Sequence, residues 1–155
     1  MLHQVYCGQG KNMVAFGPYT DNPWKSLWSF PTGGQISGSA SISSDSNLVF
    51  FASQDGKLYS VTGGPNGGKA NPKWPTGGAF NTEQTGITSS PALLASAQLV
   101  YIGAGHSVFA VYQANGTKQW SFEGSGTVAA PPAIGVGDEN VCLDLLQQAH
   151  YDVPA

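Results

Sequence analysis

Arginine is absent from the 155 residues, and six lysines face nine Asp and Glu, so only 10% of the chain is charged. Binding duplex nucleic acid needs Lys and Arg to displace condensed counterions, and anionic membranes attract polybasic segments. Neither partner class fits this balance, and no nucleic-acid partner is expected. No stretch approaches the roughly 18 consecutive apolar residues of a spanning helix, so no membrane span is expected. Met1-Leu2-His3-Gln4 lacks the basic-then-apolar order of a secretory signal. Cysteine is scarce too. Cys7 and Cys142 stand far apart without a CxxC or a nearby His, which argues against a zinc knuckle or a disulfide framework. Both are read as small buried hydrophobes. Long helices are disfavoured by 21 Gly and 10 Pro.

What the chain does have is internal repetition, which has to be found before single segments are interpreted. Trp28, Trp74 and Trp120 stand at two equal steps of 46 residues, and each opens a similar phrase: Trp28-Ser-Phe-Pro-Thr-Gly-Gly, Trp74-Pro-Thr-Gly-Gly and Trp120-Ser-Phe-Glu-Gly-Ser-Gly. A second phrase recurs upstream of each, beginning Val5-Tyr-Cys-Gly, Val49-Phe-Phe-Ala and Val100-Tyr-Ile-Gly, with one extra residue in the middle copy's turn at Gln54-Asp55-Gly56. A third comprises Ile36-Ser-Gly-Ser-Ala-Ser-Ile42, Ile87-Thr-Ser-Ser-Pro-Ala-Leu93 and Val128-Ala-Ala-Pro-Pro-Ala-Ile134.

The runs are short, β-branched or aromatic, and bounded by Gly, Asp-Gly or Asn-Gly, the pattern of strands and hairpins. Naming them A (Ser-Pro-Ala-like), B (Leu-Val-Tyr-Ile-Gly-like), C (Val-Phe-Ala-Val-like) and D (the tryptophan strand), the chain reads B-C-D, A-B-C-D, A-B-C-D, A-B. The fold class is therefore all-β. Four short antiparallel strands per repeat describe the blade of a β-propeller, whose faces are covered only by neighbouring blades. The expected units are about 1–30, 31–76, 77–123 and a partial 124–143, followed by a tail at 144–155 that departs from the repeat.

The repeat resembles the PQQ-like (pyrroloquinoline-quinone-like) repeat β-propellers. Ala110-Val-Tyr-Gln-Ala-Asn-Gly-Thr-Lys-Gln-Trp120 matches that family's tryptophan docking motif in spacing, with Tyr112 where the family has Asp. Ser90-Pro91-Ala92 is a second family mark, and the middle unit stretches the turn before Trp74. The resemblance covers about residues 5–143 and implies that Trp28, Trp74 and Trp120 are structural, lying between blades with the indole N–H on a backbone carbonyl. Trp24 falls outside the pattern and is read as an exposed aromatic. Family members are commonly exported, so the resemblance implies an extracytoplasmic or secretory setting, although no signal precedes Val5.

Enzymes of this resemblance hold PQQ over calcium, beside an acid cluster and often a disulfide of adjacent cysteines. This chain has no Cys-Cys pair, no Arg to meet the quinone carboxylates and no recognisable acid cluster. No catalytic residue, metal site or cofactor is assigned, and part of a PQQ- and calcium-dependent dehydrogenase is the alternative. Gly63-Gly-Pro-Asn-Gly-Gly68-Lys69 has P-loop spacing, but Ala70 replaces the magnesium-binding hydroxyl, and Pro72 and Pro75 prevent the helix that would hold phosphate. Gly103-Ala-Gly105 lacks the third glycine of a dinucleotide fingerprint. Both are read as turns. Asn115-Gly116-Thr117 fits the glycosylation pattern as well as the turn required there.

Because D–A and B–C loops leave a propeller on the same side, Gln54, Asp55, Phe80, Asn81, Glu83, His106 and Glu123 are expected to share one rim. Function on such scaffolds sits in loops rather than blade strands. The expected function is a non-catalytic scaffold or recognition module for protein or glycan. A ring closes with four to eight blades, so the rest is expected from a longer polypeptide; the alternative is further copies, two of which would make a six-bladed dimer.

Overall fold

The computed structural model describes residues 4–17 and 25–135. Trp24, Cys142, the expected strand at 140–143 and the tail at 144–155 lie outside the described residues. Those that are described form three antiparallel sheets and no helix. The first contains β1 (Val5–Gln9), β2 (Asn12–Phe16) and β3 (Ser26–Pro31) in that order. The second contains β4 (Ser41–Ile42), β5 (Leu48–Ser53), β6 (Lys57–Thr62) and β7 (Ala79–Asn81). The third contains β8 (Ala92–Leu94), β9 (Leu99–Ala104), β10 (Ser107–Tyr112) and β11 (Lys118–Glu123). Their neighbours in each sheet are neighbours in sequence, as in a meander built from tight turns.

The two-residue alternation of the strands assembles the core. On β5, Val49 and Phe51 point toward the first sheet and are buried with Met13 and Trp28, while Phe50 and Ala52 point toward the third and are buried with Val100 and Ile102. The central strands β5 and β6 are thus apolar on both sides, since a sheet covers each face of the second sheet. Phe51 stacks on Tyr59 at 5.5 Å, and Phe30 of the first sheet meets both rings edge-on.

The tryptophans repeat one geometry. Tyr6–Trp28, Phe50–Trp74 and Tyr101–Trp120 are tilted ring pairs at 5.6, 5.7 and 5.8 Å. The Trp28 indole N–H donates to Gly64 O at 2.9 Å and that of Trp74 to Gln113 O at 2.8 Å, in each case on the next sheet. Gly68 (φ 75°) and Gly116 (φ 69°) lie beneath Trp28 and Trp74, where a Cβ would press on the indole. A left-handed backbone touching a ring face admits only glycine.

Three expectations need correction. Trp74 lies in a turn rather than on the outer strand, with its N–H bonded to Asn71 O at 3.1 Å. Pro72 and Pro75 on either side cannot donate to a ladder, so the strand forms later, at Ala79–Asn81, past the expected boundary at 76. Run A is shorter than its phrase: β4 and β8 occupy only the ends of 36–42 and 87–93, and 128–134 forms no strand among the described residues. Cys7 is exposed, not buried, because it stands on β1 on the side that the preceding sheet covers in the other repeats.

Candidate functional site

The loops at the B–C end are built by one repeated device. Each chain leaving an outer strand bonds back to its own hairpin turn: Thr32 N to Lys11 O at 2.8 Å, Thr82 N to Gly56 O at 3.0 Å, and Gly124 N to His106 O at 2.8 Å. A few residues on it bonds there again, through Ile36 N to Gly10 O at 2.8 Å, Gly86 N to Gln54 O at 3.0 Å, and Val128 N to Gly105 O at 2.7 Å. Ile36 and Ile87 are buried in the two intersheet cores. The D–A loops therefore lie on the B–C turns and form a rim held by backbone bonds.

Within this rim the expected residues separate into two groups. Asp55 is committed to the loops, its Oδ2 accepting from Gly33 N at 2.8 Å and from the Tyr59 hydroxyl at 2.7 Å. Burial, and secondarily the bond to Asp55, pushes the Tyr59 phenol well above its ordinary range. Gln54 bonds through Nε2 to Ser37 Oγ at 2.9 Å, so its side chain also fastens one loop to another. Phe80 meets Phe109 of the third sheet edge-on at 5.7 Å and belongs to the core contact. Phe80 and Asn81 were expected in the loop but stand on β7, because the outer strand forms late.

Asn81, Glu83, His106 and Glu123 remain exposed. Asn81 Oδ1 accepts from Glu83 N at 3.1 Å, and Glu83 is held at φ 61°. Gln84 packs its side chain on the turn at Gly105, bringing the Glu83 loop beside His106. Ser107, next to His106, is the register partner of Glu123. Gln84 was missing from the sequence expectation, and only the next sheet gives it this place.

Other candidates resolve as turns. Gly63–Lys69 carries bonds from Gly67 N to Gly64 O at 3.1 Å and from Gly68 N to Thr62 O at 2.8 Å, so these N–H groups are spent within the loop. Asn115 Oδ1 accepts from Thr117 N at 3.1 Å and Thr117 Oγ1 at 2.7 Å, an exposed Asx turn. At the opposite end, a cleft of about 200 Å³ lies between the Ser43–Leu48 turn and Gln98, Gln113 and Ala114. Bonds from the Ser43 hydroxyl, then from Asn47, hold the Asp45 carboxyl down at about 2. Among the described residues, no three of His, Cys, Asp and Glu come together to hold a metal.

Among solved structures, the chain is similar to BamB from Moraxella catarrhalis, with a TM-score of 0.54 at 14% identity over 86% of this chain and 42% of that one. It is also similar to Sqt1 from Saccharomyces cerevisiae, with a TM-score of 0.63 at 14% identity over 84% of this chain and 39% of that one. The first is a PQQ-like repeat propeller and the second a WD40 propeller. The fold is that of a β-propeller. The resemblance read from the repeats holds at the level of fold. No family model matches the chain, and no curated protein matches it. The chain spans about two fifths of the length of the two solved propellers.

Proposed function

We propose that this chain is a non-catalytic propeller module that recognises a protein or glycan through the loop rim. The observation that carries this reading is the division of labour among rim side chains: Gln54 and Asp55 fasten the loops, while Glu83 and His106 in the loops, and Asn81 and Glu123, which stand on the last residues of β7 and β11 rather than in the expected loops, are left exposed. Two carboxylates, an imidazole and an amide on a fixed backbone supply directional hydrogen bonds. The partner they fit carries amide, hydroxyl or basic groups. In this reading Trp28, Trp74 and Trp120 are the docking residues that join blades, and Asn115 is the position where a glycan would attach.

The test is to screen glycan and peptide arrays with the whole chain and repeat the hits with the triple variant Glu83→Gln, His106→Ala and Glu123→Gln. Loss of binding by at least about tenfold, with unfolding unchanged, is the expected result, since exposed loop substitutions leave stability within about 0.5 kcal/mol. Binding that survives all three changes overturns it. Titration with PQQ and calcium separates the enzyme alternative, which requires a saturable shift of the quinone absorbance.

A further inference from the structure

The two intersheet joints end differently at the side away from the rim. Where the first sheet meets the second, the Tyr6 hydroxyl donates to Gln4 Oε1 at 2.6 Å and accepts from Gly64 N at 3.1 Å, so polar groups cross the joint. One repeat later, Leu48 and Phe50 occupy the places of Gln4 and Tyr6, and Gln113 and Ala114 follow β10 as Gly63 and Gly64 follow β6. Neither Leu48 nor Phe50 has a side-chain polar group to send across. The cleft of about 200 Å³ lies at this second joint, with Ser43, Asp45 and Leu48 on one wall and Gln98, Gln113 and Ala114 on the other.

The amide donors of the cleft are spent and its acceptors are not. Gln113 is only 5% exposed, and its Nε2 donates to Leu99 O at 2.8 Å. Its Oε1 accepts no bond among the described residues. Since no fully buried side-chain oxygen among them lacks a partner, this oxygen is the part of Gln113 left open, and the space that Gln113 lines is the cleft. Gln98 likewise spends Nε2 on Ala95 O at 2.8 Å and keeps Oε1. Asn47 spends both its backbone N–H and its Nδ2 on Asp45. The Asp45 carboxyl is kept ionised by bonds from Ser43 and then Asn47 rather than by a cation, so its negative charge is uncompensated.

A carboxylate and two amide oxygens lining one space call for a positively charged group with several N–H donors. Leu48 and Ala114 offer apolar surface to its methylene groups. The volume falls below the roughly 300–1,000 Å³ of sites for drug-sized ligands and suits a group the size of one side chain.

We propose that this cleft binds an alkyl cation with several N–H donors, a guanidinium or ammonium of the kind an arginine or lysine side chain carries, with its charge against Asp45 and its donors on the side-chain oxygens of Gln98 and Gln113. Guanidinium, with five donors in a planar fork, answers more of these acceptors than ammonium does. Every residue of the site falls between 43 and 114, on two sheets joined by the Trp74–Gln113 bond, so the site needs no other part of the chain. It stands at the end opposite the rim and is independent of the rim's partner.

The test titrates n-butylguanidinium and n-butylammonium chloride, up to about 50 mM, into the isotope-labelled whole chain and follows backbone amide shifts, with sodium chloride and n-butanol as controls. The expected result is saturable shifts at 43–48, 98 and 113–114, tighter for guanidinium and produced by neither control. Asp45→Asn is expected to weaken binding at least about fivefold. Ala114→Phe, at an exposed position, fills the cleft without touching its charge and is expected to weaken binding as much; should Asp45→Asn not fold, this variant decides. N-acetylarginine N-methylamide separates the sources: binding as tight as that of butylguanidinium supports a partner protein's side chain, and binding of the free cations alone supports a small-molecule cation. Absence of saturable shifts, equal shifts with butanol, or affinity unchanged in the variants overturns the proposal. The rim triple variant retains this site, so loss of rim binding and loss of cation binding are read separately.

Discussion

The Trp74 indole N–H donates to the Gln113 carbonyl at 2.8 Å, joining two sheets across 39 positions of sequence. Both residues are buried, so a Phe at 74 would keep much of the ring contact with Phe50 but leave the carbonyl without its partner. Trp74→Phe is expected to cost about 1–3 kcal/mol. Trp74→Ala, which also opens a cavity, is expected to cost about 3–5 kcal/mol. Urea midpoints at constant slope measure both, and an unchanged midpoint for Trp74→Phe would show that the N–H contributes nothing.

A methyl group separates two kinds of turn. At Gly116 it would lie 2.7 Å from Trp74 Cδ2 and 2.8 Å from Pro75 Cδ, whereas at Gly10 nothing stands within 4 Å. Both positions have positive φ. Gly10→Ala therefore carries only the left-handed penalty of about 1–2 kcal/mol. Gly116→Ala adds about 1–3 kcal/mol of overpacking. Equal destabilisation of the two variants would show that the indole does not confine the turn.

Acid should loosen the A–B turn of the second sheet. The Asp45 carboxyl is held at about 2 against an ordinary 3.8, so its ionised form is favoured by folding. That contribution is fully present above about pH 4 and is lost as pH falls through 2. It is small, because the carboxylate is exposed and solvent-screened. Thermal unfolding from pH 5 down to pH 2 should fall more steeply for the unaltered chain than for Asp45→Asn, and parallel curves would contradict this.

Alkali acts on Tyr59. Its phenol titrates above the ordinary range in the fold and near pH 10 when unfolded, so the folded state binds the extra proton and stability declines as pH rises beyond 10. Tyr59→Phe removes part of that decline. It also costs about 1 kcal/mol at neutral pH by deleting the bond to Asp55 Oδ2. Tyr101, raised by burial alone, contributes in the same direction and remains in the variant.

The sequence by itself determined the all-β class and the repeat, because period-two alternation and turn chemistry are local: Val100-Tyr-Ile-Gly and Lys118-Gln-Trp-Ser-Phe become β9 and β11 with no knowledge of their neighbours. It also put the D–A and B–C loops at one end, since strand direction alone fixes which loops share an end, whereas the backbone bonds that lay one on the other appear only in the structure. Only the tertiary structure decided which of those residues are free. Asp55 and Gln54 look like rim ligands in a one-dimensional pattern, but they are consumed by Gly33 and Ser37 from an earlier loop and by Tyr59 on β6. Trp74 keeps the 46-residue step yet leaves the strand, because two prolines block its ladder while the indole still reaches Gln113. Cys7 shares its position with Phe51 and Ile102, and its exposure follows from what stands beside the sheet. Spacing along a chain sets which face a side chain takes, whereas burial and hydrogen-bond partners depend on surfaces that meet only after the sheets have stacked.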